Sequence, residues 1–283
     1  MKINATVIIP SLNKKELLAE CLKSLTKQTY LSFDIIIIDN GSIDGTSKFV
    51  EENYPAIKII KNQKNKGFVA VNQGIKEVKT KYVVLLNNDA VAKDDWLEKL
   101  IKGMENHPEA SFAASKIINY SDHSKIDSVG DGFNLNIMAG YSIGKNENPD
   151  NFSSEKYCFS ATGGAAIYRT DLFQEIGLFD ERFFAYFEDI DFGFRANLAG
   201  YKCIFLPESI VYHRGGETAV HNSRFHLRLT DRNKVITVLK NLPIKYFLKY
   251  RRASFDLFFW PFVEVVKLNF SVWPYILNRF AIL

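Results

Sequence analysis

The sequence has few of the residues that build disulfide or zinc scaffolds. Its 283 residues include three cysteines, Cys21, Cys158 and Cys203, which lie far apart and form no C-x-x-C pair. An odd number at this spacing disfavours a disulfide framework and a cysteine zinc cluster. We therefore expect three reduced, packed thiols.

Long hydrophobic runs are also absent. No stretch reaches the ~18 uncharged apolar residues of a membrane-spanning helix, and the longest candidate, 268–278, lies between Lys267 and Arg279. The apolar stretch near the N-terminus is too short for a signal-peptide core before Pro10 interrupts it. These features predict a chain that starts in the cytoplasm and does not cross a bilayer.

Two common nucleotide-binding motifs are missing. The sequence contains neither the G-x-x-x-x-G-K-[ST] phosphate loop nor the G-x-G-x-x-G fingerprint. A P-loop enzyme and an ordinary dinucleotide dehydrogenase are therefore both disfavoured.

The composition is typical of a folded protein, but the charge is distributed unevenly along the chain. Hydrophobic residues make up 47%, and 36 basic residues against 32 acidic ones give a formal charge of +4. Residues 240–283 alone contain seven basic and two acidic residues, so the rest of the chain is almost neutral. So small an overall excess does not indicate nucleic acid as a partner.

The first 118 residues alternate short β-branched runs with stretches at helical spacing, a pattern typical of a parallel sheet with crossover helices. The predicted strands are Thr6 to Ile9, Asp34 to Ile38, Ile57 to Ile60 and Tyr82 to Leu86. The predicted helices are Lys15 to Thr26, Thr46 to Asn53, Val69 to Lys76 and Asp94 to Asn106. The continuous apolarity of the strands predicts an α/β fold, doubly wound, with helices on both faces of the sheet.

The remainder divides by composition. Residues 119–154 are polar and predict loops with one or two hairpins. We predict one domain over 1–239, made of a nucleotide-binding half (1–118) and a catalytic half (119–239), followed by a basic, aromatic helical tail at 240–283. Trp96 is interpreted as core packing.

Polar residues follow every predicted strand of the first half. In an open parallel sheet, ligands bind beyond the carboxyl ends of the strands, so these loops are the candidate site. They read P-S-L-N after the first strand, D-N-G-S-I-D-G-T after the second, N-K-G-F after the third and N-N-D after the fourth.

With two further runs, these loops resemble the inverting family 2 glycosyltransferases of the GT-A fold, from Val7 to about Arg214. The third loop continues as N-K-G-F-V-A-V-N-Q-G, and the two further runs are G-L-F-D-E-R-F-F-A-Y-F-E-D-I-D-F-G-F-R and P-E-S-I-V-Y-H-R-G-G. The Asn-Asn-Asp form is most similar to bacterial rhamnosyltransferase-like enzymes of surface polysaccharide assembly. The resemblance implies a mixed, mainly parallel sheet and transfer of a sugar from a nucleoside diphosphate donor, dTDP- or UDP-linked, to a glycan or lipid-linked acceptor.

The resemblance also implies which residues contact the donor: Pro10, Ser11, Asn13, Asp39, Asn65, Gly67, Asn72 and Asn88. Asp39 suits the N–H and O–H donors of a pyrimidine ring or a ribose, and the asparagine amides both donate and accept. The alternative is that Asp39 and Asp44 only cap the following helix. Gly67 is expected to accommodate a close backbone approach in either case.

The N-N-D run occupies the position of the family's Asp-x-Asp metal motif, which implies Mg²⁺ or Mn²⁺ bound by Asp89 and by His213. Such an ion stabilises a diphosphate leaving group and prefers hard oxygen ligands. Because Asn87 replaces the first Asp, we expect weaker affinity or ligands supplied from elsewhere. A lone histidine is otherwise more often a core or surface residue.

The resemblance makes Asp189 the general base, and places Glu188, Asp191, Gly163 and Gly164 on the acceptor side. Inverting transfer needs a base that takes the proton of the attacking hydroxyl. The alternatives are that acids here favour the start of a helix, that one or two of Asp180, Glu188, Asp189 and Asp191 organise Arg182 and Arg195, and that the glycines form a tight bulge. Asp127 to Gly130 either faces the sugar or forms a turn.

The tail and the overall activity each leave alternatives open. Aromatic and basic residues together are typical of a segment lying on an anionic leaflet, which predicts peripheral association with the inner face of the cell membrane. Otherwise the tail packs on the catalytic domain or on another copy in a homo-oligomer. A sugar-phosphate nucleotidyltransferase and a non-catalytic binding relative are the alternative functions.

Overall fold

A computed structural model describes residues 3–215 and 224–266, with side chains up to residue 259. Within these ranges the strands are β1 (Ala5–Ser11), β2 (Phe33–Asp39), β3 (Lys58–Lys61), β4 (Tyr82–Leu86), β5 (Ala90–Ala92), β6 (Ala110–Asn119), β7 (Ile126–Ser128), β8 (Asp131–Asn134), β9 (Ala139–Ser142), β10 (Lys156–Cys158), β11 (Ala165–Arg169) and β12 (Lys202–His213). The helices are α1 (Lys15–Leu25), α2 (Thr46–Asn53), α3 (Val71–Ile75), α4 (Trp96–Asn106), α5 (Leu172–Ile176), α6 (Glu188–Leu198), α7 (Arg224–Asn241), α8 (Ile244–Lys249) and α9 (Arg251–Val266).

The strands form one mixed sheet and one hairpin. The sheet order is β10-β12-β6-β11-β4-β1-β2-β3, with β5 on β12 and β7 on β6. Strands β3, β2, β1 and β4 are parallel, β6 and β12 are parallel, and β11 joins the two groups in antiparallel pairing. The hairpin β8–β9 covers part of the polar passage at 119–154, as expected there.

Both faces of the sheet are covered by helices, which confirms the doubly wound prediction. Val7 and Ile9 of β1 pack in the cluster that contains α1, α2 and α4, whereas Ile8 packs with α3, α5 and α6. Because alternate side chains of a strand point to opposite faces, the uninterrupted apolar runs follow from this double burial. Trp96 is fully buried in the first cluster, as predicted.

The C-terminal helices pack on the domain through the β8–β9 hairpin. Met138, in the hairpin turn, is fully buried against Val235 and Val238 of α7 and Ala253 and Leu257 of α9. Helix α7 continues through the domain boundary predicted at residue 239. The described part of the tail is therefore joined to the catalytic half by a small core, and residues 267–283 of the predicted tail lie outside the described residues.

The three cysteines are free thiols, as expected. Two of them meet across the β10–β12 pair, where Cys158 Sγ lies 3.4 Å from Cys203 Sγ. In the described residues, no helix is long and apolar enough to cross a membrane.

Candidate active site

The carboxyl ends of β1, β2 and β4 meet at one edge of the sheet. Pro10 and Ser11 pair in parallel register with Ile38 and Asp39. The Asn88 amide donates to Ser11 Oγ at 3.2 Å, and both side chains are buried. The first and fourth strand-end loops are thus in direct contact, as the parallel sheet predicts.

Asn13 ties the first loop to the second. Its Oδ1 accepts from the Ile43 N–H at 2.9 Å, and its own N–H donates to Ser42 Oγ at 2.7 Å. Asn13 adopts a left-handed conformation, with φ 56°, which asparagine tolerates better than most residues.

Asp39 is almost fully buried and bonded within its own loop. Oδ1 accepts from the Ser42 N–H at 2.8 Å, and Oδ2 accepts from Ser47 Oγ. Each carboxylate oxygen can accept a further bond, so donor contact by Asp39 stays a prediction. Asp44 has a structural role in the same region, since it accepts hydrogen bonds from the Lys15 N–H and from Thr46. Desolvation acts to raise the pKa of Asp44, but these hydrogen bonds outweigh it and lower the pKa.

The third loop is shaped by Asn65 and Gly67. Asn65 Oδ1 accepts from the Gly67 N–H at 2.8 Å, and Gly67 has φ 75°. A Cβ on Gly67 would lie 2.2 Å from the carbonyl oxygen of Phe184, so only glycine fits here. The expected close backbone approach is confirmed, and the partner is the chain itself.

Asn72 lies deeper than a donor contact requires. Its Nδ2 donates to the Phe179 carbonyl at 2.8 Å, its Oδ1 accepts from the Phe179 N–H at 3.2 Å, and the side chain is 1% exposed. Because both amide groups already bond the backbone, the structure favours a structural role for Asn72.

Asp89 and His213 meet at the end of β12. Asp89 Oδ1 lies 3.1 Å from His213 Nε2, and His213 Nδ1 lies 2.7 Å from Asp127 Oδ2. Burial alone would lower the pKa of His213, but the hydrogen bonds to Asp127 and Asp89 raise it to about 10. Asn87 Nδ2 lies 3.4 Å from the same Nε2.

This geometry fits a divalent ion bound by Asp89 and His213. Adjacent ligands of an octahedral ion at about 2.1 Å lie about 3 Å apart, close to the separation of the two ligand atoms here. Asp127 bonds the other ring nitrogen, the usual arrangement behind a metal-binding histidine. Within the described residues, no three His, Cys, Asp or Glu side chains form a complete metal site, so an ion at Asp89 and His213 would need ligands in addition to these two side chains.

The two glycines before β11 connect this loop to the candidate base. The Gly164 carbonyl accepts from the Asn87 N–H at 2.9 Å, and the Gly163 N–H donates to Asp189 Oδ2 at 3.4 Å. A Cβ on Gly163 would lie 2.6 Å from Phe68 Cζ, and one on Gly164 3.1 Å from Asn87 Nδ2. Gly163 and Gly164 thus form a two-residue bridge between Asn87, at the start of the loop that carries Asp89, and Asp189.

Asp189 sits in the first turn of α6 and is partly accessible. Oδ1 accepts from the Ile190 N–H at 2.8 Å. Desolvation raises the pKa of Asp189, while the hydrogen bonds from Gly163 and Ile190 oppose that shift. The net effect is a raised pKa, so Asp189 is more basic than an ordinary aspartate.

Glu188 and Asp131 flank Asp189 and are more deeply buried. Desolvation, and then the charge of Asp189, raise the pKa of both well above the usual range. Asp131 accepts from Thr162 Oγ1 at 2.9 Å and from Ser142 Oγ at 3.2 Å, whereas Glu188 Oε2 has no hydrogen-bond partner among the described residues. Asp189 differs in accepting from the backbone N–H groups of two other residues, Gly163 and Ile190, which stabilise its charge.

Asp191 faces away from this group and into the packing of α6 on α7. Its side chain is fully buried and accepts from Arg195 Nε at 3.0 Å, Lys240 Nζ at 2.9 Å and Asn241 Nδ2 at 2.9 Å. Arg182 is paired in the same way with Asp180. The interpretation that two of the acids organise Arg182 and Arg195 is confirmed, and a structural role for Asp191 is favoured over an acceptor contact.

Residues 6–177 match the model of the Glycosyl transferase family 2 domain. The chain belongs to this family. The resemblance drawn from the strand-end motifs is thereby confirmed, and the match covers most of the half predicted to bind nucleotide and the start of the half predicted to be catalytic.

Relatives of the chain include named glycosyltransferases. The amylovoran biosynthesis glycosyltransferase AmsB of Erwinia amylovora is 29% identical over 75% of this chain and 70% of its own. The N-acetylglucosaminyl-diphospho-decaprenol L-rhamnosyltransferase of Mycobacterium tuberculosis is 25% identical over 75% of this chain and 79% of its own.

The fold is also found in a solved glycosyltransferase. The mannosyltransferase PcManGT from Pyrobaculum calidifontis, in complex with GDP-Man and Mn²⁺, superposes with a TM-score of 0.64 at 17% identity, over 99% of this chain and 75% of that one. The GT-A fold predicted for this chain is therefore confirmed.

Two acids of the candidate site were not assigned by sequence reasoning. Asp131 lies 58 positions before Asp189 and reaches it only because the Asp131 N–H donates to the Ser160 carbonyl, while Ser160 Oγ donates to the Asp189 carbonyl. Asp127 was left open between the sugar pocket and a turn, and it instead contacts His213. The only signal for either was an acid in a Gly-rich polar run.

Proposed function

We propose that the chain is a metal-dependent, inverting glycosyltransferase that moves a sugar from a nucleoside diphosphate to a hydroxyl of a growing surface polysaccharide or lipid-linked glycan. The observation that carries the proposal is the Gly163-Gly164 bridge, which places a basic carboxylate, Asp189, beside the Asn87 to Asp89 loop. A base on one side of the sugar and a diphosphate site on the other are what inversion requires.

In this proposal Asp189 takes the proton of the acceptor hydroxyl. The hydroxyl oxygen forms a bond to the anomeric carbon from the face opposite the diphosphate. The bond between that carbon and the diphosphate oxygen breaks, and the nucleoside diphosphate leaves with the bonding electrons. The raised pKa values of Glu188 and Asp131 favour their neutral forms, which lessens the repulsion that a second negative charge would exert on ionised Asp189.

Asp89 and His213 would hold Mg²⁺ or Mn²⁺, which would offset the negative charge of the leaving diphosphate. Titration of the nucleoside diphosphate in the presence of Mn²⁺ tests these ligands. Asp89→Ala should abolish metal-dependent binding, whereas Asp122→Ala, an exposed aspartate in the 119–125 turn, should bind as the natural chain does. Unchanged binding by Asp89→Ala would remove Asp89 from the metal site.

The donor is proposed to be dTDP-rhamnose, with UDP-sugars as the next candidates. The support comes from the named rhamnosyltransferase relative and from the strand-end loops that carry Asn13, Asp39 and Asn65. A panel of dTDP-, UDP- and GDP-sugars with Mn²⁺, read by release of free nucleoside diphosphate, identifies sugar and base together. Release of pyrophosphate from a sugar phosphate and a nucleoside triphosphate would instead establish a nucleotidyltransferase.

We also propose that the C-terminal helices lie on an anionic membrane surface at the inner face of the cell membrane. Ile244, Leu248, Phe255 and Phe259 of α8 and α9 are between 49% and 75% exposed. The exposed cations Lys245, Lys249, Arg251 and Arg252 lie among them. Apolar side chains enter the interface while each nearby cation adds about 1 kcal/mol of attraction to anionic lipid.

Vesicle sedimentation tests this surface without disturbing the core around Met138. Ile244→Ser combined with Leu248→Ser should weaken binding to phosphatidylglycerol-containing vesicles about tenfold or more. Leu31→Ser, which removes an exposed leucine elsewhere, is the matched control. Equal binding by all three proteins, or equal binding to neutral vesicles, would contradict the proposal.

A further inference from the structure

The segment Phe183–Phe187, which leads directly into Glu188 and Asp189, has an unfavourable backbone conformation. Phe184, Tyr186 and Phe187 have φ of 63°, 69° and 69°, in the left-handed region that residues with a Cβ rarely occupy. Three such residues in four positions need surrounding contacts that impose the conformation. We call residues 183–187 the base-adjacent segment.

One side chain from a distant helix holds this segment. Asn233 of α7 is fully buried, and its Nδ2 lies 2.8 Å from the carbonyl oxygens of Phe183, Ala185 and Tyr186. Its Oδ1 accepts from Arg232 Nη1 at 3.0 Å, and the same Nη1 donates to the Arg182 carbonyl at 2.8 Å. Both polar groups of the Asn233 side chain thus contact this segment or Arg232.

The other side of the segment rests on the nucleotide-binding half. The Phe184 carbonyl accepts from the Val69 N–H at 3.2 Å and lies against the Cα of Gly67. Its far end continues into α6, where the Asp191 N–H donates to the Phe187 carbonyl at 2.9 Å. The segment therefore connects the third strand-end loop to the first turn of α6, which carries Asp189.

We infer that Asn233 is a positioning residue for the base, acting through the base-adjacent segment; this inference rests on the proposed role of Asp189. The Asn233 Nδ2 group, whose two hydrogens are shared among three carbonyl oxygens, fixes the backbone from which Asp189 projects, while the residues predicted to contact the nucleotide lie on other loops. Loss of Asn233 should therefore affect turnover more than donor binding. A misplacement of the base by about 1 Å can reduce turnover by up to ~10²-fold.

The test compares Asn233→Ala with Thr237→Val. Thr237 lies one turn further along α7, is equally buried, and donates only to the Asn233 carbonyl within the helix. For Asn233→Ala we expect kcat to fall about tenfold or more. Donor KM and nucleoside diphosphate affinity should stay within about twofold of the values for the natural chain. The acid limb of the plot of kcat against pH should shift. Thr237→Val should keep kcat, KM and the pH profile of the natural chain.

Two results would overturn the inference. One is unchanged kcat in Asn233→Ala; the other is a loss of kcat that is matched by loss of nucleotide affinity and shared by Thr237→Val, as a general packing role predicts. If Asn233→Ala does not fold, Asn233→Ser, which keeps one donor but is too short for three carbonyls, is judged by the same criteria.

Hydrogen–deuterium exchange separates this inference from the proposed function. The amides of Ala185 and Asp191 bond within or beside the segment, and both should exchange faster in Asn233→Ala than in Thr237→Val. If no donor turns over in any variant, the proposed function fails, and the exchange rates still decide whether Asn233 holds the segment.

Discussion

At the residue scale, the environment of Asp189 determines the pH at which the protein can work. Desolvation raises the pKa of Asp189 above its usual value, and the Gly163 and Ile190 N–H groups limit the rise. A base must be ionised to accept a proton, so activity should be lost as the pH falls through this raised pKa. The acid limb of kcat/KM against pH is therefore expected at a higher pH than an ordinary aspartate, near 4, would give.

Replacement of the carboxylate tests the same residue. Asp189→Asn should leave nucleotide binding intact and reduce turnover by roughly 10²-fold or more, because the amide cannot accept the proton. Glu188→Gln is the matched control, since it changes a neighbouring acid whose pKa is raised well above its usual value and which therefore favours the neutral form. If Glu188→Gln loses more turnover than Asp189→Asn, the roles of the two acids are reversed.

At the scale of the element, the tightest contact of the site is between Gly67 and the base-adjacent segment. Gly67→Ala would place a methyl group 2.2 Å from the Phe184 carbonyl oxygen, a clash that only a backbone shift relieves. Gly45→Ala is a control with a similar φ, 84° against 75°, and no atom within 4 Å of the added Cβ. Gly45, with ψ 13°, is left-handed, so Gly45→Ala bears a cost of ~1–2 kcal/mol for that conformation. Gly67, with ψ −167°, lies in a region that is essentially restricted to glycine, so Gly67→Ala bears ~1–3 kcal/mol for its backbone, and overpacking adds ~1–3 kcal/mol to Gly67→Ala alone.

Chemical denaturation of the two glycine variants measures this difference. The free energy of unfolding should fall further in Gly67→Ala, and its turnover should fall as the segment is pushed away. Equal unfolding free energies would mean that the segment moves aside without cost, and that the close approach does not constrain the site.

The elements show what the sequence could predict. Strand β4 and helix α2 have the predicted bounds, because a buried β-branched run and a helical stretch after Gly45 are local signals. Strand β6 was not predicted, since A-S-F-A-A-S has little β-branched content, and its pairing with β11 and β12 forms the strand instead. The sequence pattern predicts two short strands on either side of Pro207, Lys202 to Phe205 and Ser209 to Tyr212. The structure has the single strand β12 instead, in which a register shift between Leu206 and Ile210 allows pairing with β6 to continue.

The candidate site, like the secondary structure, could be predicted only where the signal is local. The strand-end loops, which the structure brings together, and Asp189, whose role as base stays a prediction, could be singled out because their residues are close in sequence or part of a motif. The bonds of Asn72 to Phe179 and of Asn233 to Phe183 span 107 and 50 positions. Only the folded chain brings such pairs together, so no local pattern indicates them.

At the scale of the whole molecule, the basic residues of the tail at 240–283 have a structural role as well as the proposed role at a membrane. Lys240 is the first basic residue of the tail, and its ammonium group donates to Asp191 and Asp180 rather than facing a membrane. The ion pairs of Asp180, first with Arg182 and then with Lys240, hold the pKa of Asp180 well below its usual value. The start of the tail thus neutralises acids of the catalytic half, and the exposed cations begin at Lys245.

Truncation at residue 239 should therefore disrupt the domain rather than only release it from membranes. The shortened chain would lose Lys240 and Asn241, two of the three residues that bond the fully buried Asp191, together with the α9 residues that cover Met138. Removing partners from a buried charge costs ~3–5 kcal/mol, so thermal unfolding should move to a much lower temperature.

A full-length Lys240→Met, Asn241→Leu variant isolates the cause of this loss. It keeps α8 and α9, so it should reproduce the part of the destabilisation that comes from Asp191 while still binding anionic vesicles through Ile244 and Leu248. Its stability should recover when Asp191→Asn is added, because the buried charge is then removed. A chain of residues 1–239 with the unfolding temperature of the full chain would show instead that the helices after α7 are an independent appendage whose only role lies at the membrane.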